Sequence, residues 1–263
     1  MLNILFWNLN KNKLENYIVD CIIENEIDIA VFAEFSEIDF TSLEKKMGGK
    51  YRYITEIEDD VKLALFAEES LNIKKIQTRC RYNIYEVETN FKKYILTGVH
   101  LQDRRNFDAD DRKETIEKIV NDIENTEKSY QCDNSIVIGD FNANPYDKEI
   151  TSAYYFNAVL FKKLIDRDEY TKHHVDNKKR FYNPILQYIS EDTGMYGSYY
   201  DTSESSTPYW YCLDQILVRK KLVNSIRNVS YLKKIKSEQL MGEVGPRKSI
   251  SDHLPLVVRL EEI

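Results

Sequence analysis

Short apolar runs, each ending in an amide, acid or imidazole side chain, recur along this chain and leave few folds open to it. Residues 2–9 (LNILFWNL) form a nearly continuous apolar run with Asn8 and Asn10 at its end, and residues 28–33 (DIAVFA) are followed by Glu34. Runs of this length and composition are typical of strands buried on both faces. Apolar residues recur at helical spacing between the two runs, so the order strand, helix, strand predicts a layered α/β beginning.

The rest of the chain is predicted to contain more strands than helices. Strands are predicted at residues 61–67, 73–77, 82–88, 93–100, 135–139, 209–218, 229–233 and 254–260, and helices at residues 108–127 and 146–161. The strands between residues 61 and 100 leave little room for helices, which predicts antiparallel pairing in part of the sheet. The tyrosine-rich segment 166–208 is only weakly periodic and is predicted to form long loops.

Length and composition indicate one folded domain, residues 1–263. With 42% hydrophobic and 31% charged residues and no long polar tract, the chain is typical of soluble folded proteins. The net charge of -7 argues against a protein that coats nucleic acid by bulk electrostatics. Carboxylates that bind a divalent cation would themselves make the charge negative, so a phosphate-bearing substrate stays compatible with it.

The sequence also favours a reducing compartment. The four cysteines are widely spaced and form no CxxC pair, which indicates neither a zinc site nor a disulfide framework. The apolar run at the amino terminus is too short for a signal peptide, and no stretch reaches the length needed to cross a bilayer. We therefore expect a cytoplasmic protein without a membrane span.

Polar residues at the ends of apolar runs have two interpretations. Further along the chain these residues are His100, Asp140, Asn142, Asp252 and His253. Asn and Asp commonly cap or turn the chain at a strand end, and each of them taken alone can do only that. Asp214 is different, because it lies inside the apolar run YWYCLDQILV and a buried acid is costly unless it is paired.

The motifs around these residues resemble one known group of proteins. WNLN, AEFSE, GVHLQ, GDFNANP, LDQILV and SDHLP occur in the order and spacing of the endonuclease/exonuclease/phosphatase superfamily, and the match spans Trp7 to Pro255. GDFN and SDHLP together carry most of the resemblance. It implies a four-layered αββα sandwich, in which two packed mixed β-sheets are flanked by helices.

The resemblance implies a metal-dependent phosphoester hydrolase. Glu34 would be the principal ligand of Mg²⁺ or Mn²⁺, assisted by Asn10, with Asp252 as a further candidate. Hard oxygen ligands suit these cations. Asn10 stands where some nucleases have an acid, and a neutral amide binds a metal more weakly than a carboxylate does.

The remaining motif residues would carry out the proton transfer and hold the phosphate. His253 would be the general base or would contact the phosphate, and Asp214 would orient its imidazole. Asp140 would orient or activate the attacking water. Asn142 and Asn8 would donate hydrogen bonds to phosphoryl oxygens or hold the neighbouring carboxylates.

His100 would stabilise the departing oxygen or donate its proton. Relatives similar to exonuclease III typically carry a tyrosine-bearing loop here. The His-Leu form instead resembles the DNase I, sphingomyelinase and tyrosyl phosphodiesterase branches, which weakens the interpretation of the chain as a repair endonuclease.

Several residues outside the motifs are candidates for substrate contact. Arg104, Arg105 and Arg112 follow His100 closely and could bind phosphates, although a solvated loop and helix start explain them equally well. Tyr182 and Trp210 could stack on bases, although aromatic residues in loops also simply pack those loops.

Three functions follow from these interpretations. The leading hypothesis is a nuclease whose substrate is nucleic acid, DNA or else RNA. The alternative is a phosphatase or phosphodiesterase of a lipid or small phosphorylated molecule. A binding module that keeps the fold without activity is the third, and the intact set of predicted catalytic residues counts against it.

Overall fold

The computed structural model describes residues 1–55, 61–104, 106–173, 176–201 and 209–262. The strands in these residues are β1 (Leu2–Asn8), β2 (Ile29–Ala33), β3 (Tyr51–Tyr53), β4 (Leu63–Glu68), β5 (Asn72–Thr78), β6 (Tyr82–Glu88), β7 (Lys93–His100), β8 (Ser135–Asp140), β9 (Ala158–Val159), β10 (Tyr170–His173), β11 (Asp176–Lys179), β12 (Phe181–Tyr182), β13 (Tyr199–Tyr200), β14 (Trp210–Tyr211), β15 (Asp214–Val218), β16 (Ile226–Tyr231), β17 (Lys234–Ile235), β18 (Glu238–Gln239) and β19 (Leu256–Leu260). The helices are α1 (Glu15–Asn25), α2 (Phe40–Lys46), α3 (Ala109–Tyr130), α4 (Lys148–Thr151), α5 (Lys162–Arg167) and α6 (Ile185–Tyr188), with a 3-10 helix at Lys220–Ser225. None of the helices in these ranges is long and apolar enough to cross a bilayer.

Two mixed sheets form the centre of the molecule. The six-stranded sheet has the order β16-β19-β1-β2-β4-β3, and the seven-stranded sheet has the order β5-β6-β7-β8-β15-β12-β9. The pairs β1/β2 and β7/β8 are parallel, whereas β4 and β6 run antiparallel to their neighbours. The predicted mixture of parallel and antiparallel strands is therefore confirmed.

The sheets pack face to face, and helices cover their outer faces. Alternation along the strands produces this layering, because successive side chains point to opposite faces. Leu96 and Ile136 belong to the core between the sheets, whereas their neighbours Ile95 and Val137 pack with Ile119 of α3. Helix α1 joins the core through its buried apolar side chains next to β1 and β2. The architecture is the predicted four-layered αββα sandwich.

The register of the strands brings the polar strand ends to one edge. Asn8 at the end of β1 pairs with Ala33, which precedes Glu34. In the second sheet, Asp140 pairs with His100 on one side and with Asp214 on the other. The motifs that lie far apart in the sequence thus end at the same edge of the two packed sheets.

Gly139 makes the close approach of β7 and β8 possible. Its φ is +158°, and a Cβ at this position would lie 1.9 Å from the carbonyl oxygen of Val99. No other residue type can occupy that space without moving the strand, since backbone cannot yield as a flexible side chain does. The glycine therefore maintains the register that sets His100 beside Asp140.

The segment after β8 differs from the sequence-based prediction. The helix predicted at residues 146–161 is only α4, because the chain turns at Ser152 and then forms β9, which pairs with β12. The loops predicted at residues 166–208 contain the β10/β11 hairpin, β12, α6 and β13. Strands of two to four residues are too short to show a periodic pattern, and β9 and β12 depend on pairing with segments elsewhere in the sheet.

Candidate functional site

The polar strand ends surround one large cavity of about 1010 Å³. Eight of the residues predicted from the sequence line it: Asn8, Glu34, His100, Arg104, Asp140, Asn142, Asp252 and His253. Asp214 lies directly behind His253 and is fully buried. Asn10 does not belong to the lining, and its backbone N–H donates instead to Oδ1 of Asn8 at 3.0 Å.

Asp214 and His253 form a buried pair at the base of the cavity. Nδ1 of His253 lies 2.8 Å from Oδ2 of Asp214. Asp214 is held in turn by its backbone, whose N–H donates to Oγ of Ser198 at 3.1 Å and whose carbonyl accepts the Tyr231 hydroxyl at 2.6 Å. Burial by itself lowers the pKa of His253, but the charge and the hydrogen bond of Asp214 outweigh it and raise that pKa to about 10.

Asp140 stands beside this pair, between two amide donors. Its Oδ2 accepts from Nδ2 of Asn8 at 3.2 Å, and its Oδ1 accepts the backbone N–H of Asn142 at 2.8 Å. Burial raises the pKa of Asp140 to about 7, although His253 and the two amides oppose that shift. Both carboxylate oxygens are thus oriented by hydrogen bonds. Asp140 is the aspartate of the GDFN motif.

His100 faces the carboxylates from the neighbouring strand. Its Nε2 lies 3.8 Å from Oε1 of Glu34 and 3.8 Å from Oδ2 of Asp140. Burial, with the positive charges of Arg81, His253 and Lys62 in support, lowers the pKa of His100 to about 3. His100 is therefore a neutral imidazole near pH 7, and within the described chain its buried Nδ1 has no hydrogen-bond partner.

Three contacts that sequence reasoning missed brace these groups. The indole N–H of Trp7 donates to the carbonyl oxygen of His253 at 3.1 Å. The Ser251 hydroxyl donates to the Asn8 carbonyl at 2.7 Å and accepts the His253 N–H at 3.1 Å. Both residues lie inside the motifs WNLN and SDHLP, so a signal for them existed in the sequence.

The backbone at the site adopts the left-handed region at four non-glycine residues, Asn10, Lys11, Glu34 and Asn142, with φ of 48°, 56°, 50° and 46°. Such residues cost energy and are concentrated at functional sites, where the surrounding structure maintains them. Asn142 is maintained by two contacts: its Nδ2 donates to the Leu101 carbonyl at 2.9 Å, and its own carbonyl accepts from Nη2 of Arg112 at 3.3 Å.

Oxygen donors at the cavity suit a divalent cation. Glu34 is partly exposed and, in the described part of the chain, its carboxylate accepts no hydrogen bond, so it is free to coordinate. Asp140 and Asp252 lie on the same cavity. Carboxylate atoms of Asp140 and Asp214 and a ring nitrogen of His253 lie within 4.8 Å of one another. The hydrogen bond of 2.8 Å between the last two leaves Asp140 as the available ligand of this cluster.

The arginines predicted to contact substrate are engaged with the protein. Arg104 lines the cavity, but its Nη2 pairs with Asp147 at 2.6 Å and with Glu149 at 3.1 Å. Arg112 is buried and pairs with Glu149 through Nε at 3.3 Å, which leaves it no surface for a substrate. Arg105 lies outside the described residues.

The two predicted aromatic contacts are placed away from the cavity. Tyr182 is 3% exposed in β12, where its hydroxyl donates to Gln187, so it packs the core and has no face for a base. Trp210 of β14 packs against Tyr200 at a centroid distance of 5.1 Å. Two tyrosines do line the cavity: Tyr199, whose ring centroid lies 5.0 Å from that of His253, and Tyr211.

The fold recurs among solved structures, whereas the sequence matches no family model and no curated protein. A mannosyl-6-phosphatase of Bacteroides thetaiotaomicron has a TM-score of 0.64 and 16% identity over 99% of this chain and 100% of its own. An endonuclease/exonuclease/phosphatase family protein of the same organism has a TM-score of 0.60 and 15% identity over 98% and 97%. D. rerio TDP2 complexed with single-strand DNA product has a TM-score of 0.57 and 15% identity over 99% and 98%. These matches confirm the fold that the sequence motifs predict.

Proposed function

We propose that this protein, which has the fold of the endonuclease/exonuclease/phosphatase superfamily, is a divalent-metal-dependent phosphoester hydrolase. One observation carries the proposal: the buried pair of Asp214 and His253 lies beside Asp140, in a cavity whose other side presents Glu34 and His100. Hydrolysis of a phosphoester requires neutralisation of charge and positioning of water in line with the departing oxygen, and this set of groups can meet both requirements.

Each residue has a role that follows from its position. Glu34, Asp140 and Asp252, which line the cavity, would hold Mg²⁺ or Mn²⁺. Asn10 does not line it and is not among the proposed ligands. When bound, the cation neutralises charge on the phosphoryl oxygens. Asp140, oriented by two amide hydrogen bonds, holds the attacking water and accepts its proton.

His253 contacts the phosphate. Because its Nδ1 is hydrogen-bonded to Asp214, it donates a hydrogen bond from Nε2 to a phosphoryl oxygen. Asn142 and Asn8 keep the Asp140 carboxylate in place. His100 lies on the opposite side of Asp140 and donates a hydrogen bond to the departing oxygen. Its neutral state leaves it an N–H donor without adding charge.

A hydrolysis assay on the purified protein tests this function directly. We expect it to hydrolyse bis(p-nitrophenyl) phosphate or p-nitrophenyl phosphate with Mg²⁺ or Mn²⁺, to lose activity with EDTA and to regain it when metal is added back. Folded His253→Ala protein should lose activity by on the order of 10² or more. Absence of metal-dependent turnover on any phosphoester would favour a binding module and overturn the proposal.

For the substrate we propose nucleic acid. Support comes from Tyr199 and Tyr211, which line the cavity and have rings on which an unstacked base can lie. The similarity to a protein complexed with single-strand DNA product agrees with this. Labelled single- and double-stranded DNA and RNA with Mn²⁺ should be cleaved by the wild-type protein and remain intact with Asp140→Asn.

A small phosphorylated molecule is the second candidate, because Arg104 and Arg112 are paired with carboxylates instead of being free for a phosphate backbone. Among the described lining residues, six carboxylates face four cations. The similarity to a mannosyl-6-phosphatase agrees with this candidate. Intact nucleic acids together with release of phosphate from a hexose 6-phosphate would replace the nuclease by this alternative.

A further inference from the structure

Three cations that line the cavity, Lys11, Lys62 and Arg81, have no part in the proposed chemistry, and two of them lie directly before strands that border the site. Lys62, directly before β4, and Arg81, directly before β6, both line the cavity. Over the described ranges neither forms an ion pair with a carboxylate, in contrast to Arg104, which is paired with Asp147. A cation exposed to a cavity without a partner is available to a ligand anion.

Strand register places each cation next to one of the active-site residues. Leu63 pairs with Ala33, so Lys62 and Glu34 leave neighbouring strands at the same level. Tyr82 pairs with Val99, and the His100 N–H donates to the Arg81 carbonyl at 2.9 Å. Lys62 therefore lies outside Glu34 on the six-stranded sheet, and Arg81 lies outside His100 on the seven-stranded sheet.

A buried contact between the sheets holds these two positions together. Nδ2 of Asn83, in β6, donates to the carbonyl of Leu63, in β4, at 3.1 Å. The Arg81 guanidinium is further oriented by the ring of Phe107, whose centroid lies 5.2 Å away. Asp103 lines the same cavity and sets one negative charge against these two cations. The net local charge of these three groups is positive.

We propose that Lys62 and Arg81 form an anion subsite that binds a second phosphate group of the substrate, next to the phosphoester that is hydrolysed. This inference rests on the proposed function. The arginine fork and the lysine point charge match phosphate oxygens, and both lie one strand outside the reaction centre. The substrate is therefore a phosphoester with a further phosphate: the neighbouring linkage of a nucleic-acid strand, or the second phosphate of a small bisphosphate.

The double variant Lys62→Gln/Arg81→Gln tests the subsite on three substrates with Mn²⁺. Bis(p-nitrophenyl) phosphate carries no second phosphate, thymidine 3′-phosphate 5′-(p-nitrophenyl phosphate) carries one, and a short DNA strand carries several. We expect KM to rise on the order of tenfold or more for a substrate with a second phosphate, because two charge-assisted contacts are lost. KM for bis(p-nitrophenyl) phosphate should not change.

The second phosphate could belong to a nucleic-acid strand or to a small bisphosphate, and the substrate whose KM rises distinguishes the two. A rise for the DNA strand alone assigns the subsite to nucleic acid, and a rise for the thymidine bisphosphate ester assigns it to small bisphosphates as well. An unchanged KM for both overturns the subsite. Lys234→Gln/Arg167→Gln is the matched control, since both residues lie outside the cavity lining; it should behave as the wild type.

Binding without turnover distinguishes failure of the subsite from failure of the proposed function. In calorimetry, the wild-type protein should bind thymidine 3′,5′-bisphosphate about tenfold more tightly than thymidine 5′-phosphate, and the double variant should bind the two equally. Equal binding by the wild type overturns the subsite, whatever the activity. Absence of metal-dependent turnover on any phosphoester, with this preference retained, overturns only the proposed function.

Discussion

His253 and Asp214 lie 39 positions apart in the chain, yet their side chains meet at 2.8 Å inside the protein. The contact requires β15 to place Asp214 beside Asp140 and the segment before β19 to return to the Asn8 end of β1. The buried Asp214 carboxylate favours the charged form of the His253 imidazole. The pair consequently acts as one unit.

Substitution of either member of the pair should reduce activity by a similar amount. We expect His253→Ala and Asp214→Asn each to lower kcat by on the order of 10² or more, because the imidazole is removed in one and loses its orienting partner in the other. The double variant should be no worse than the poorer single one, since residues of one unit are not additive. Steady-state kinetics on protein with unchanged circular dichroism checks this, and multiplicative losses would refute the coupling.

Glu34→Gln should abolish metal binding while the fold is retained. For the wild-type protein, Mn²⁺ at a hundred times its Kd should raise the free energy of unfolding by about 2.7 kcal/mol, because metal binds only the folded state. The variant should lack that increase in urea unfolding experiments with and without metal. Glu37→Gln, an exposed neighbour in the same loop, is the control. An equal increase in Glu34→Gln protein would remove Glu34 from the ligand set.

Arg112 should act as a positioning residue for Asn142. It holds the Asn142 carbonyl and pairs with Glu149, so Arg112→Gln should lower kcat about tenfold with little change in KM, through displacement of the GDFN loop. The free energy of unfolding should fall by about 1–3 kcal/mol. Lys113→Gln, exposed on the same helix, should change neither quantity. A purely structural role would lower stability and leave kcat intact below the melting temperature.

Arg219→Leu should destabilise the protein without affecting catalysis. Arg219 is 1% exposed, pairs with Glu127 at 2.7 Å and lies 3.7 Å from the ring centroid of Phe181, away from the cavity. Loss of one partner of a buried pair leaves an uncompensated charge and should cost about 3–5 kcal/mol in urea unfolding. Lys221→Gln, which removes an exposed ion pair, should cost no more than about 0.5 kcal/mol. A change in kcat for folded Arg219→Leu would contradict the separation of this network from the site.

The sequence by itself determined the class of fold and predicted eight of the residues that line the candidate cavity. Apolar runs such as the one before Glu34 predict buried strands from local composition alone, and an acid inside such a run, as at Asp214, predicts a buried partner because an isolated charge there is too costly. The motifs from WNLN to SDHLP, spread along the chain, predicted these residues from Asn8 to His253. All of this information is local.

Only the tertiary structure decided which polar groups face the cavity and which are engaged with the protein. Arg104 and Arg112 resemble phosphate ligands in the sequence, but residues about 40 positions away supply the carboxylates that pair with them. Tyr182 lies in a short strand whose burial depends on partners elsewhere in the sheet. Lys62 and Arg81 lie beside Glu34 and His100 only through strand register, and register is a property of pairing between distant segments.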